Sequence, residues 1–247
     1  MRSYPVKTPG IVQSIFRKYI WCFPANKGSA NQNSKEIYLT FDDGPIPEIT
    51  PWVLEELSKY NAKATFFCIG ENVKKHPEIF QKIISKGHSV GNHTNDHING
   101  WRTNKENYLN NIDKSEKCFR FVVSGLQSSV SSLQSPVSGL QSRVNRQKTN
   151  NKQLTTNLFR PPYGKIKPNQ ANKILKKGYD IVMWDVLSGD FDLSLSKENC
   201  LKNVIKNTND GSIVVFHDSE KAFKNLEYAL PRALDYFSKK GYVFKSI

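Results

Sequence analysis

The sequence predicts a parallel α/β architecture, either a barrel or an open sheet. Short apolar runs rich in Val, Ile and Phe alternate with longer helix-like segments through most of the chain, the order expected of repeated strand–helix units. Gly, Pro or Asp residues stand where those runs stop and the backbone has to turn. A length of 247 residues suits one large domain or two small ones, and is enough to bury a core without cross-links.

Taken in order, residues 36–41 read as a strand that ends in Asp42-Asp43-Gly44-Pro45. Thr50 before Pro51 predicts an N-cap with proline at the first helical position, and a helix to about Tyr60. Residues 64–69, rich in Phe, fit a buried parallel strand. Residues 77–86 predict a helix closed by Gly87, residues 89–92 a short strand, and residues 105 to about 121 a helix. Residues 157–159 lead into the stiff segment Arg160-Pro161-Pro162-Tyr163-Gly164. Then follow a helix at 168–177 closed by Gly178, a strand at 179–184, a helix at 196–206 capped by Ser196, an apolar strand at 212–216, a helix at 226–240 and a last strand at 242–244. Six or seven strands in this alternation place the functional groups of either architecture at the C-terminal strand ends.

One segment breaks the alternation. Residues 123–143 hold three seven-residue copies, VSGLQSS, VSSLQSP and VSGLQSR. Val and Leu three apart imitate a coiled-coil seam. Abundant Ser, with Gly125, Pro136 and Gly139, opposes a continuous helix. Residues 124–152 are therefore expected to be a flexible surface insertion, with a short partner-binding helix as the alternative. Residues 1–35 are expected as an N-terminal extension to a domain at 36–247.

Composition excludes several classes. At 38% hydrophobic and 23% charged residues the chain is globular rather than largely disordered. No stretch approaches the roughly 18 apolar residues of a membrane span. Residues 11–23 are fairly apolar, but Arg17 and Lys18 interrupt them, so no secretory signal is read. A cytoplasmic location is the default expectation, with the cell envelope as the alternative. The formal charge is +14, and no Asp or Glu falls between Lys117 and Lys177. Such a stretch can meet acidic partners, but no nucleic-acid motif accompanies it and no nucleic-acid partner is expected. Cys22, Cys68, Cys118 and Cys200 lie far apart, which suits neither a zinc ribbon nor a redox pair, and Cys68 is expected as a buried thiol.

The chemistry-bearing residues sit at predicted strand ends. Asp42 and Asp43 are adjacent, so their side chains point to opposite sides; one can hold a metal while the other faces a substrate. Taken alone they are also ordinary turn residues. His93 and His97 are spaced i, i+4, which on a helical turn puts both imidazoles on one face. With a carboxylate they make a set that leaves open positions for water, as hydrolytic zinc sites need. His217 follows the apolar strand, where a group of near-neutral pKa suits proton donation. Two prolines stiffen the segment that could hold the Tyr163 N–H toward an oxyanion, and Arg160 could orient a carboxylate.

Together these segments resemble the polysaccharide deacetylase family, the NodB-homology carbohydrate esterases. TFDDGP stands at residues 40–45, H-[ST]-x-x-H at residues 93–97, R-x-P-Y at residues 160–163, and a hydrophobic residue two before a histidine at residues 215–217. Four motifs in family order, over residues 36 to 247, make a specific match. The fourth family motif, D-x-x-D-W, departs: Leu187 replaces its first acid and Phe191 its tryptophan, while Asp190 keeps the second acid. The resemblance implies a distorted (β/α) barrel of about seven parallel strands. It implies a divalent metal, zinc first and cobalt or another ion as alternatives, on Asp43, His93 and His97. It further implies Asp42 as general base, the Tyr163 N–H as oxyanion donor, His217 as general acid, Arg160 supporting Asp42, and Asp190 supporting His217. The expected activity is removal of N-acetyl groups from an N-acetylglucosamine-containing glycan of peptidoglycan or chitin type. An O-acetyl esterase on xylan-type sugars and a non-catalytic glycan binder are the alternatives.

Overall fold

The computed structural model describes residues 4–24, 35–132 and 157–247, with only the backbone described at 125–132. The strands are β1 (Lys35–Asp42), β2 (Thr65–Cys68), β3 (Ser89–Asn92), β4 (Leu158–Phe159), β5 (Asp180–Ile181), β6 (Val186–Leu187), β7 (Ile213–His217) and β8 (Tyr242–Lys245). The helices are α1 (Gly10–Ile15), α2 (Ile49–Ser58), α3 (Gly70–Lys75), α4 (Pro77–Ser85), α5 (Lys105–Ser132), α6 (Pro168–Lys176), α7 (Lys197–Asn207) and α8 (Glu220–Lys239). Seven strands pair in the order β5-β4-β3-β2-β1-β7-β6, and β8 joins the first half of β1. The pairings are parallel, and the sheet curls into a half-barrel, the form taken here by the distorted (β/α) barrel that the resemblance implies.

The period of two along β1 builds both the core and the site. Ile37, Leu39 and Phe41 pack into the main core, with Phe66 of β2, Phe216 of β7 and Leu226, Leu230 and Leu234 of α8. Thr40 and Asp42 take the other face, where both contact the fully buried Arg160.

The strand path leaves β5 and β6 as its two ends, and residues 4–24 run across the seam between them. Ile20 bridges Val182, Lys7 bridges Val186 and Cys22 bridges Ser212. The Ile20 N–H donates to Ile181 at 2.9 Å, the Met183 N–H to Ile20 at 2.7 Å and the Leu187 N–H to Val6 at 2.8 Å. Trp21 is buried with Tyr108, Phe159 and Ile181.

Several expectations are corrected. The helix expected to stop near Phe121 continues to Ser132, through the first repeat copy. Helical backbone therefore replaces the expected loop at 124–132, while residues 133–152 of the insertion lie outside the described residues. Thr50 does not cap α2: the cap position is Glu48, and the Thr50 hydroxyl accepts from the Ile46 N–H and donates to Asp218. The strand expected at 179–184 is cut to β5, because Met183 pairs with the N-terminal segment. Helix α3 and strand β6 were not read from the sequence. Ser196 caps α7 as expected, accepting from the Asn199 N–H. Cys22, Cys68 and Cys118 are free thiols, with Cys68 buried.

Candidate active site

Asp42 closes β1, and the chain turns at Asp43, whose φ of 84° lies in the left-handed region. That turn is held from several sides. The Asn72 side-chain amide donates to the Asp43 carbonyl at 2.8 Å, the Gly44 N–H donates to Asp218 at 3.1 Å, and the Asp218 N–H donates to the Asp42 carbonyl at 3.1 Å. A Cβ on Gly44 would lie 2.0 Å from an Asp218 oxygen, so only glycine fits there. Held this way, Asp43 projects its carboxylate toward the end of β3.

His93 follows β3 directly. The His pair does not sit on a helical turn: it spans a loop in which Thr94 and His97 have φ of 65° and 52°. The start of α3 fixes that loop, since the Gly70 and Glu71 N–H groups donate to the Thr94 and Asn95 carbonyls at 3.0 and 3.1 Å. His93 Nδ1 lies 2.8 Å from the Arg160 carbonyl, which makes it the N–H side and leaves Nε2 as an acceptor. Nε2 of His93 and of His97 stand 3.7 and 3.2 Å from Asp43 Oδ1. Burial holds His93 down to about 4 and His97 below its ordinary value, so both imidazoles are neutral near pH 7. The ligand-type atoms of Asp43, His93 and His97 all lie within 4.8 Å of one another.

Two acid–base pairs flank this cluster. Arg160 donates to Asp42 and to Thr40 at 2.7 Å each, and to the Met183 and Val182 carbonyls at 2.8 and 3.2 Å. Its guanidinium lies 4.1 Å over the Phe67 ring. Burial, the largest single influence, would raise the Asp42 pKa, but the Arg160 charge and hydrogen bond, with His93 and His217, together hold the carboxyl below its usual range. On the other side, the Asp190 carboxylate takes the His217 Nδ1–H at 2.8 Å and the His217 backbone N–H at 2.7 Å. Burial, the largest single influence, would lower the His217 pKa; the charge and hydrogen bond of Asp190, with Asp43 and Asp42 behind it, together push it up to about 9.

Tyr163 sits at φ 60° in a tight 3-10 turn, with its ring 4.6 Å from that of His97. The bonds of the turn run from the Gly164 N–H to Pro161 and from the Lys165 N–H to Pro162. The Tyr163 N–H stands outside that ladder. Phe191 packs edge-on against His217 at 5.1 Å, and Leu187 is buried in β6 beside Val215.

All eight residues singled out from the sequence thus gather at the C-terminal ends of β1, β3, β4 and β7 and the loop after β6. Asn72, Asp218 and Thr40 were missed. For Asp218 the available signal was its place directly after His217; for Asn72 there was none.

Comparison with known proteins gives this geometry a family. A model of the polysaccharide deacetylase family matches residues 29–152, which is half of the chain. The chain belongs to the polysaccharide deacetylase family. Two peptidoglycan-N-acetylglucosamine deacetylases of Bacillus cereus are similar to it. One is 33% identical over 206 residues, covering 83% of this chain and 62% of that protein. The other is 31% identical over 217 residues, covering 87% of each. This polysaccharide deacetylase family member therefore spans less than two thirds of the first relative and most of the second. Its fold matches the crystal structure of the Bc1960 peptidoglycan N-acetylglucosamine deacetylase, with a TM-score of 0.75, 29% identity, and coverage of 97% of this chain and 95% of that one.

Proposed function

We propose that the protein is a metal-dependent hydrolase that removes N-acetyl groups from an N-acetylglucosamine-containing glycan, with peptidoglycan placed ahead of chitin-type oligomers. The observation that carries this reading is one Asp/His/His cluster flanked by an Asp–Arg pair and a His–Asp pair. The names of the similar proteins support the substrate class.

The residues fit a divalent cation. Asp43 Oδ1 is buried with no hydrogen-bond partner among the described residues, and two neutral imidazole nitrogens face it. Such a carboxylate is costly without a cation. Zinc is the ion we place first, given two imidazoles and one carboxylate. Bound by Asp43, His93 and His97, it supplies Lewis acidity toward water and the acetamide carbonyl. Asp42, kept ionised by Arg160, takes a proton from the attacking water. The Tyr163 N–H donates to the carbonyl oxygen as it gains negative charge. His217, protonated through its pairing with Asp190, gives its Nε2 proton to the leaving amine, because Nδ1 is tied to the carboxylate. The C–N bond breaks, and acetate and a free amine leave.

Acetate release would be measured from peptidoglycan fragments, chitin oligomers and acetylated xylan. The assay would use metal-stripped protein with and without zinc, beside Asp42→Ala and His217→Ala. Zinc-dependent release from the first two, lost in both variants, is expected. Release from xylan alone would move the activity to O-acetyl esters. Zinc binding with no release from any of the three would leave a glycan-binding protein.

A further inference from the structure

Two loops leave the C-terminal edge of the sheet side by side. The one after β3 carries His93 and His97 and then Trp101; the one after β4 carries Arg160 and Tyr163 and then Lys165. Beyond the ligand cluster they are pinned together. The Trp101 indole N–H donates to the Ile166 carbonyl at 3.2 Å, the Lys167 ammonium to the Thr103 carbonyl at 2.9 Å, and the Gln170 amide to the Gly100 carbonyl at 3.0 Å. The backbones nearly touch: a Cβ on Gly100 would lie 2.4 Å from the Lys165 carbonyl oxygen.

Trp101 is nevertheless 60% exposed, and Tyr163 beside His97 is 59% exposed. An indole fixed at its polar edge, with Lys165 over one side of its ring and the rest exposed, keeps apolar area in water until something covers it. The apolar face of a pyranose ring has the right shape and chemistry. The local charge is of one sign. The Lys165 ammonium stands 5.3 Å from the Trp101 ring centre, and Arg102 is the next residue. Residues 160–167 contain no acid, and the one acid in residues 93–103, Asp96, is already engaged by Asn95, Asn111 and Lys114.

We propose that Trp101 and Lys165 form a glycan subsite next to the reacting sugar, in which the indole takes the apolar face of a carboxylate-bearing sugar and Lys165 pairs with its carboxylate. This rests on the deacetylase reading and sharpens it, because peptidoglycan strands carry lactyl and peptide carboxylates and chitin oligomers are neutral.

The test uses the zinc-loaded protein and its Trp101→Ala, Trp101→Phe and Lys165→Gln variants. Calorimetry would read binding of N-deacetylated peptidoglycan and chitin fragments, which do not turn over, and kinetics would read kcat and KM on the acetylated forms. Trp101→Ala is expected to weaken both ligands about tenfold, with Trp101→Phe restoring most of it. Lys165→Gln is expected to weaken the carboxylate-bearing fragment about fivefold and the chitin fragment less than twofold. The peptidoglycan preference is expected to fade at high salt in the parent and not in Lys165→Gln. All three variants keep the parental zinc content, and the loss falls on KM and Kd more than on kcat; Trp101→Phe, which also lacks the indole bond to Ile166, separates loss of the ring from loss of that bond. Equal effects of Lys165→Gln on both ligands, or none from Trp101→Ala, would overturn the subsite. Acetate release with unaltered variants would remove the subsite and leave the deacetylase; the expected binding pattern without acetate release would do the reverse.

Discussion

His217 has two hydrogen bonds to a single carboxylate, and that sets when it can act. The Asp190 charge favours imidazolium against the burial that opposes it, so the ring carries its proton up to about 9. Asp42 is ionised from below the usual carboxylate range because Arg160 stands against it. The window in which base and acid are both correctly protonated is therefore wide. The kcat/KM profile is expected to stay high through neutral pH and fall as pH rises through about 9. In Asp190→Asn the neutral form is no longer penalised, so the alkaline fall should move toward the ordinary histidine value of about 6.5. A fall that stays in place would show that another group controls it. Phe191 in place of tryptophan leaves an aromatic edge on His217, so the departure from the family motif keeps the packing of that ring while changing its outer surface.

At the scale of elements, the site depends on turns more than on strands. The left-handed turn at Asp43 exists because Asn72 and Asp218 hold its two sides and because residue 44 has no side chain. Gly44→Ala is expected to cost more than about 2 kcal/mol of stability and to cut zinc content, read together by urea unfolding and metal analysis. Unchanged zinc binding would mean that the turn does not position Asp43. Strands β2 and β7 were legible because they are buried apolar runs, and β1 because Ile37, Leu39 and Phe41 alternate along it. Strand β6 was not, because two residues between Asp185 and Ser188 are too few to show a period. The histidine spacing was legible as a pair but misleading as geometry: i, i+4 suggests a helix, yet the loop meets the same distance through left-handed Thr94 and His97. Helix α5 ran past its expected end because serine and a single glycine oppose a helix only weakly.

Across the whole molecule, pH acts on stability as well as on chemistry. His88 and His93 are held near 4 by burial, so their unfolded-state titration, centred near 6.5, is over above about 7.5. Above that, His217 with its raised value of about 9 and Asp218 raised to about 8 both bind more protons folded than unfolded. Each contribution is therefore lost as pH rises, and the metal-free protein is expected to lose of order 2 kcal/mol between pH 7.5 and 9, measured by urea unfolding. A gain over that interval would contradict the assignment of these two protons. The seam along the open side has a consequence in time. Residues 4–24 leave the ribosome well before their partners from Ile181 to Ser212, with Lys7 and Asp185 separated by 178 positions. At about 5–20 residues per second the leading segment waits roughly 10–35 seconds for its place, and the seam is laced shut only once Ser212 has been made.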